Sequence, residues 1–180
     1  MKVVNIVIII HQIYHVLAMV LLCLAFTGTT WEIIESNEDD PDLYNRVEYG
    51  LLKVCQSSKT KKSCSDIDPV SDELTAARVF MILAILFVVL HMFYTFVIYG
   101  RKYCCNSDEK EFSSKISITI LLFNSLSCLI AVVVKSLDNV NEVVFFGLSK
   151  NIGFSFGLTI FTCVFSLSAT LVCSGLEQKY

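Results

Sequence analysis

The chain has 180 residues, 54% hydrophobic and 17% charged, with a formal net charge of −3, and its mean hydropathy is +0.64. This apolar fraction lies well above that of a soluble domain of the same size. It excludes an ordinary water-soluble globule and points to a membrane as solvent, with no nucleic-acid partner expected.

Four apolar runs, Val3–Phe26, Arg78–Tyr99, Ile116–Val134 and Gly153–Val172, are long enough to cross a hydrocarbon core of about 30 Å, which takes about 20 helical residues. Inside these limits only Arg78, at a boundary, is charged. The expectation is a single four-span membrane domain over residues 1–180, with spans at about 3–26, 78–99, 116–134 and 153–172. Lys2 before the first run raises the alternative of a cleaved signal peptide. The run exceeds a signal core of roughly 7–15 residues, and "LAFTGTTW" after it offers no A-x-A-like processing site, so the helix is expected to be retained.

The first span contains His11-Gln-Ile-Tyr-His15, two imidazoles four residues apart. That is the spacing of the H-E-x-x-H helix motif of zinc hydrolases, but the position of the general base is Gln12, and an amide cannot shuttle a proton at neutral pH. His91 in the second span is the third histidine of the chain. At about 1.5 Å per helical residue, His11 and His91 lie roughly 12 Å from the same membrane edge, so antiparallel first and second helices would let them meet. A metal held by His11, His15 and His91 is geometrically conceivable. With no carboxylate in any span, the simpler reading is a polar seam of helix-to-helix hydrogen bonds, joined by Asn124 and Ser127. Neither a metal nor another cofactor is expected.

An even number of spans places both termini and residues 100–115 on one side, and loops 29–75 and 135–152 on the other. Basic residues are split nearly evenly between the long loop and the middle loop, although Arg101 and Lys102 directly follow a span, where positive charge orients most strongly toward the cytosol. The long loop holds eleven acidic against five basic residues. Of the eight cysteines, Cys55 and Cys64 are the pair in that loop. A disulfide between them requires an oxidising compartment; the alternative is two free thiols on a cytosolic loop. The disulfide reading puts the long loop outside the plasma membrane and both termini in the cytosol. Cys104 and Cys105, after "YGRKY", then become palmitoylation candidates, or unmodified juxtamembrane thiols. Cys23, Cys128, Cys163 and Cys173 read as small apolar packing residues.

In the long loop "VEYGLLKVC" carries β-compatible residues, and "EVVFFG" in the second outer loop reads as a short strand. Trp31 sits where the first helix leaves the membrane, a depth at which an indole keeps its ring in the interface and its N–H wet. Ser149, Gly153 and Gly157 recur at every fourth position, a small-residue ladder that permits close helix packing inside the bundle or against another protein.

Trp31, then Gly50-Leu51-Leu52-Lys53-Val54-Cys55, then Cys64 resembles the signature of the claudin superfamily: a tryptophan after the first span, G-L-W-x-x-C, and a second cysteine about eight to ten residues on. "LTAARVFMIL", with Arg78, is similar to that family's entry into the second helix, and "FFGLSKNIGF" to its entry into the fourth. The second signature tryptophan is replaced by Leu52, which keeps an apolar anchor but loses bulk and a donor. The resemblance implies an all-α membrane four-helix bundle with a small extracellular antiparallel β-sheet built from the two outer loops. It also implies a role in cell–cell junctions, adhesion or a paracellular barrier, with partners that are lipid and either itself or other claudin-like proteins in cis or trans. Other branches imply an auxiliary subunit of an ion channel or receptor, or an organiser of myelin-like membrane apposition. Phe145 and Phe146 resemble the aromatics that touch a facing cell, the alternative being a cover for the sheet. Asp66 and Asp68 follow the strand where the family sets ion preference, and are candidates for a cation pathway rather than a merely solvated acidic face. No nucleophile–base pair or phosphate loop points to an enzyme.

Overall fold

The computed structural model describes residues 2–35, 46–58, 61–68, 70–105, 110–137 and 149–177. In chain order the elements are α1 (Lys2–Thr27), β1 (Glu32–Glu35), β2 (Arg46–Tyr49), β3 (Lys53–Ser57), β4 (Lys62–Asp66), α2 (Asp72–Cys105), α3 (Lys110–Leu137), β5 (Ser149–Ile152) and α4 (Phe154–Glu177). Uninterrupted apolar sequence makes each helix long, because in lipid only a helix or a closed barrel satisfies every backbone group.

The helix ends are written in polar chemistry. Ser71 Oγ accepts the Leu74 N–H at 3.1 Å, and Asp72 and Glu73 occupy the first turn of α2, so a side-chain cap and two carboxylates meet the positive end of the dipole. α1 stops at a glycine whose N–H returns to Leu24 O at 2.9 Å, satisfying one of the last carbonyls. α2 thus begins ahead of Arg78. α3 runs through Lys135 to Leu137, so Lys135, expected at the start of the second outer loop, lies in the last helical turn.

The sheet is five-stranded, fully antiparallel, in the order β4-β3-β2-β1-β5. "VEYGLLKVC" is therefore two strands rather than one. Gly50 N–H bonds to Lys53 O at 2.8 Å and folds Leu51 and Leu52 into a two-residue hairpin loop. Among the described residues the second loop supplies the strand Ser149–Ile152; "EVVFFG", expected as a strand, lies outside them. It pairs with β1, Glu32 opposite Ile152 and Glu35 opposite Ser149. The supposed helical ladder is overturned at its first rung: Ser149 is in β5, Gly153 lies between strand and helix, and Gly157 is on α4.

The bundle is inside out. Its buried positions include His15, His91, Thr95, Asn124, Thr159, Thr162 and Ser166, whereas Phe93 is 67% and Phe96 74% exposed, with Leu17, Leu86, Leu126 and Phe161 also outward. In water such a surface would drive aggregation; in lipid it is the solvated face. The apolar core, Leu22, Ala25, Trp31, Leu51, Leu74, Ala77, Met81 and Ala84 among others, gathers at the sheet end.

Glycine requirements differ sharply along α4. A Cβ on Gly153 would stand 1.9 Å from Thr30 O, whereas one on Gly157 would meet nothing within 4 Å. Gly153→Ala is expected to lower the melting temperature in detergent markedly. Gly157→Ala should be neutral or stabilise by up to about 1 kcal/mol, the helix-propensity difference.

Candidate functional site

The segment Gly28–Trp31, where the chain leaves α1, is where β2 and the start of α4 are tied to the bundle. Trp31 N–H donates to Tyr49 O at 2.9 Å, and Trp31 O accepts Gly153 N–H at 3.0 Å. Thr30 O accepts Ser155 N–H at 3.0 Å, and the Thr30 and Ser155 hydroxyls meet at 3.3 Å. These bonds tie β2 and the start of α4 to one dipeptide. The close approach needs glycine: a Cβ on Gly28 would lie 2.2 Å from Ser155 Oγ, and one on Gly50 would lie 2.6 Å from Gly28 O.

Trp31 is not an interfacial belt residue with a wet N–H. It is 2% exposed, its indole donates to Ala25 O at 2.6 Å, and its ring meets Phe156 edge-on with centroids 6.0 Å apart. Ala25 O belongs to the last turn of α1, where no further helical N–H follows, so the indole supplies the missing donor. Packing decided this: the apolar ring is needed in the core, and an unmet carbonyl beside it draws the N–H inward.

The signature residues converge here. Leu51 is fully buried and Leu52 only half-buried, so the apolar anchor expected from Leu52 falls chiefly to its neighbour. Arg78 Nε donates to Leu51 O at 2.6 Å, clamping the β2–β3 loop onto α2. Cys55 and Cys64 are joined by a disulfide between facing positions of β3 and β4.

Charge at this junction is organised in ways that the sequence did not announce. Glu48 Oε2 accepts from Lys62 Nζ at 2.7 Å, and Glu48 Oε1 stands 3.1 Å from Arg46 Nε, with Thr29 Oγ1 3.4 Å from Oε2. Glu32 of β1 and Lys135 of α3 face each other at 4.0 Å, 7% and 6% exposed. Their separation by 103 positions left no local signal, although a lysine next to an apolar span was itself a clue. Asp66 is exposed on β4, opposite Lys53, and Asp68 is exposed just beyond it.

Deeper in the bundle, the imidazole that meets His91 is His15: both are buried, their centroids 4.3 Å apart with planes inclined at 63°. This sets an edge against a face. His91 Nε2 shares a hydrogen bond with Ser117 Oγ, Gln12 Nε2 donates to Thr95 Oγ1 at 2.7 Å, and Tyr14 OH donates to Phe165 O. The polar seam thus joins all four helices. Among the described residues no group of three or more His, Cys, Asp or Glu could hold a metal; the His11 side chain lies outside them. Asn124 joins a different link, its Nδ2 donating to Ser166 Oγ at 3.2 Å, and Ser127 Oγ bonds to Phe123 O of its own helix. Of the cysteines read as packing residues, Cys128 is buried and Cys163 half-buried, but Cys23 is exposed. α2 extends to Cys105; the side chains of Cys104, Cys105 and Cys173, like all of Phe145 and Phe146, lie outside the described residues.

Two segments, Asp72–Ile98 and Ile116–Ser136, are long and apolar enough by length and composition to cross a membrane. Four helices turning apolar side chains outward, with a disulfide-linked antiparallel sheet locked to one end, define a tetraspan membrane protein. The chain belongs to the PMP-22/EMP/MP20/Claudin family, whose model matches residues 4–176. No curated protein matches the chain. The family is one of structural and barrier membrane proteins rather than enzymes.

Trp31→Phe preserves the ring contact but orphans Ala25 O, and should cost about 1–3 kcal/mol in denaturant unfolding of the detergent-solubilised protein. Lys135→Met, leaving Glu32 buried without its cation, should cost about 3–5 kcal/mol, and adding Glu32→Leu should recover part of that loss in the same assay.

Proposed function

We propose that the chain is a junction or adhesion protein of the plasma membrane, crossing it four times, with both termini in the cytosol and the sheet outside. There the sheet contacts further copies or other claudin-like proteins in cis or trans. The observation that carries this reading is the attachment of the sheet. Trp31, Gly50 and Gly153 lock it to the helix ends at three places, so the strands form a rigid platform, and rigid presentation limits the entropy lost on contact. Residues 100–115 then face the cytosol, where Cys104 and Cys105 are acylation candidates. Phe145 and Phe146 belong to the loop that faces a second membrane. Asp66 and Asp68, both exposed, would concentrate cations beside the sheet.

A second reading, an auxiliary subunit of an ion channel or receptor, is favoured by Gly157. No internal neighbour needs that glycine, and it lies between exposed Phe154 and Phe161, an opening that a foreign helix could enter.

A tagged copy expressed in cells without junctions separates the two. Enrichment where two expressing cells touch, absent against a non-expressing neighbour, is expected for adhesion. Uniform distribution around the cell would overturn that reading and favour the auxiliary subunit.

A further inference from the structure

β4 ends the sheet, with β3 its neighbour in the strand order. All five of its residues are exposed, so no apolar side chain holds it down. The hairpin it forms with β3 closes on Ser58 N–H to Lys61 O at 2.9 Å. Hydrogen-bonded and non-bonded pairs alternate along an antiparallel ladder. Counting from that closing pair, Gln56 with Ser63 and Val54 with Ser65 carry ladder bonds, while Cys55 with Cys64 does not. The Cα separation at the cysteines, 4.1 Å, is that of the closer, non-bonded kind. The disulfide therefore sits at a level where no backbone bond joins the strands. Beyond the ladder, β4 is held by Lys62 to Glu48 at 2.7 Å, with the lysine side chain 50% exposed, a contact that water weakens, and just past its end by Ile67, whose N–H meets Leu52 O at 3.4 Å and whose side chain packs on the core.

The two sulfurs are placed unequally. Cys55 is 1% exposed, while Cys64 is exposed on the outer strand. A thiolate from solvent has its approach at Cys64, and accessible disulfides are the ones that exchange readily. From this we infer that Cys55–Cys64 is a reducible latch on β4: an external dithiol opens it and frees the edge strand without unfolding the rest of the sheet.

In the exchange, one dithiol sulfur attacks Cys64 Sγ. The Cys55–Cys64 bond breaks as a mixed disulfide forms, and Cys55 leaves as a thiolate that takes up a proton. The second dithiol sulfur closes onto the first, expelling Cys64 as a thiol. Two electrons pass to the protein, and the dithiol becomes a cyclic disulfide. The remainder of the sheet keeps its own fastenings, because the bonds from Trp31 to Tyr49 and Gly153, and from Arg78 to Leu51, all lie on the far side of β3 from β4 or on its loop.

The test uses the full chain in detergent, titrated with dithiothreitol. Differential alkylation reads the state of both cysteines, hydrogen exchange reads the amides, and the fluorescence of Trp31, the single tryptophan, reads the junction. On reduction the ladder amides Ser63 and Ser65 should exchange on the order of tenfold faster, while the Trp31 and Gly153 amides and the fluorescence stay unchanged. The double variant Cys55→Ser/Cys64→Ser should show the reduced pattern without reagent. Three results would overturn the latch: a bond that opens only after Trp31 fluorescence has shifted, reduction that leaves β4 exchange unaltered, or a double variant that loses the junction as well.

Discussion

The contacts of Trp31 are the constraint on which the rest depends. Within the four residues Gly28–Trp31 the chain must leave α1, turn through the bundle surface and enter β1, while β2 and the start of α4 approach from either side. One backbone N–H, one carbonyl and one indole N–H satisfy Tyr49, Gly153 and Ala25 together. Burying that many polar groups beside an apolar ring is tolerable only because each finds a partner. The three glycines at 28, 50 and 153 follow from this, since any side chain there would hold the segments apart.

Lipid inverts the ordinary logic of a core. The outward faces need no partner, so the helices are held together by small residues and by hydrogen bonds across them, of which His91 to Ser117, Gln12 to Thr95 and Asn124 to Ser166 are instances. Each bond of this kind is modest, on average about 0.6 kcal/mol in membrane proteins. The inner face of α4 carries Ser155, Thr159, Thr162 and Ser166, all buried. Their spacing is helical; the hydroxyls of Thr159 and Thr162 return to their own helix at Ser155 O and Leu158 O, while Ser155 and Ser166 bond across to Thr30 and Asn124. The large apolar cluster lies instead at the sheet end, where the protein must leave the lipid and cannot rely on it as solvent.

That division accounts for the character of the candidate site. The strands of the sheet are fixed to the bundle around Trp31, Gly50 and Gly153. The ion pairs contribute placement. Glu32 with Lys135 ties β1 to the end of α3, and Glu48 gathers Arg46 of its own strand and Lys62 of β4. β4 joins this network through one lysine and the disulfide, and is tied at its far end by Ile67.

Helix number, the class of fold and the pairing of Cys55 with Cys64 were legible in the residues, because each rests on a local quantity: a run of apolar side chains long enough for the bilayer, or two cysteines within one polar loop. The signature Trp31, Gly50, Leu51 and Arg78 was legible as a resemblance, but its mechanics were not. That the indole turns inward, that Leu51 rather than Leu52 is buried, and that Arg78 clamps a carbonyl depend on segments far apart in sequence. The same reason applies to Ser149–Ile152, whose polar sequence carries little β signal and which forms a strand because it lies beside the edge of β1. The sequence by itself determined which segments avoid water, since hydropathy is a property of each residue. Only the tertiary structure decided which polar group meets which, because hydrogen bonds and glycine contacts exist only once the chain has brought distant residues together.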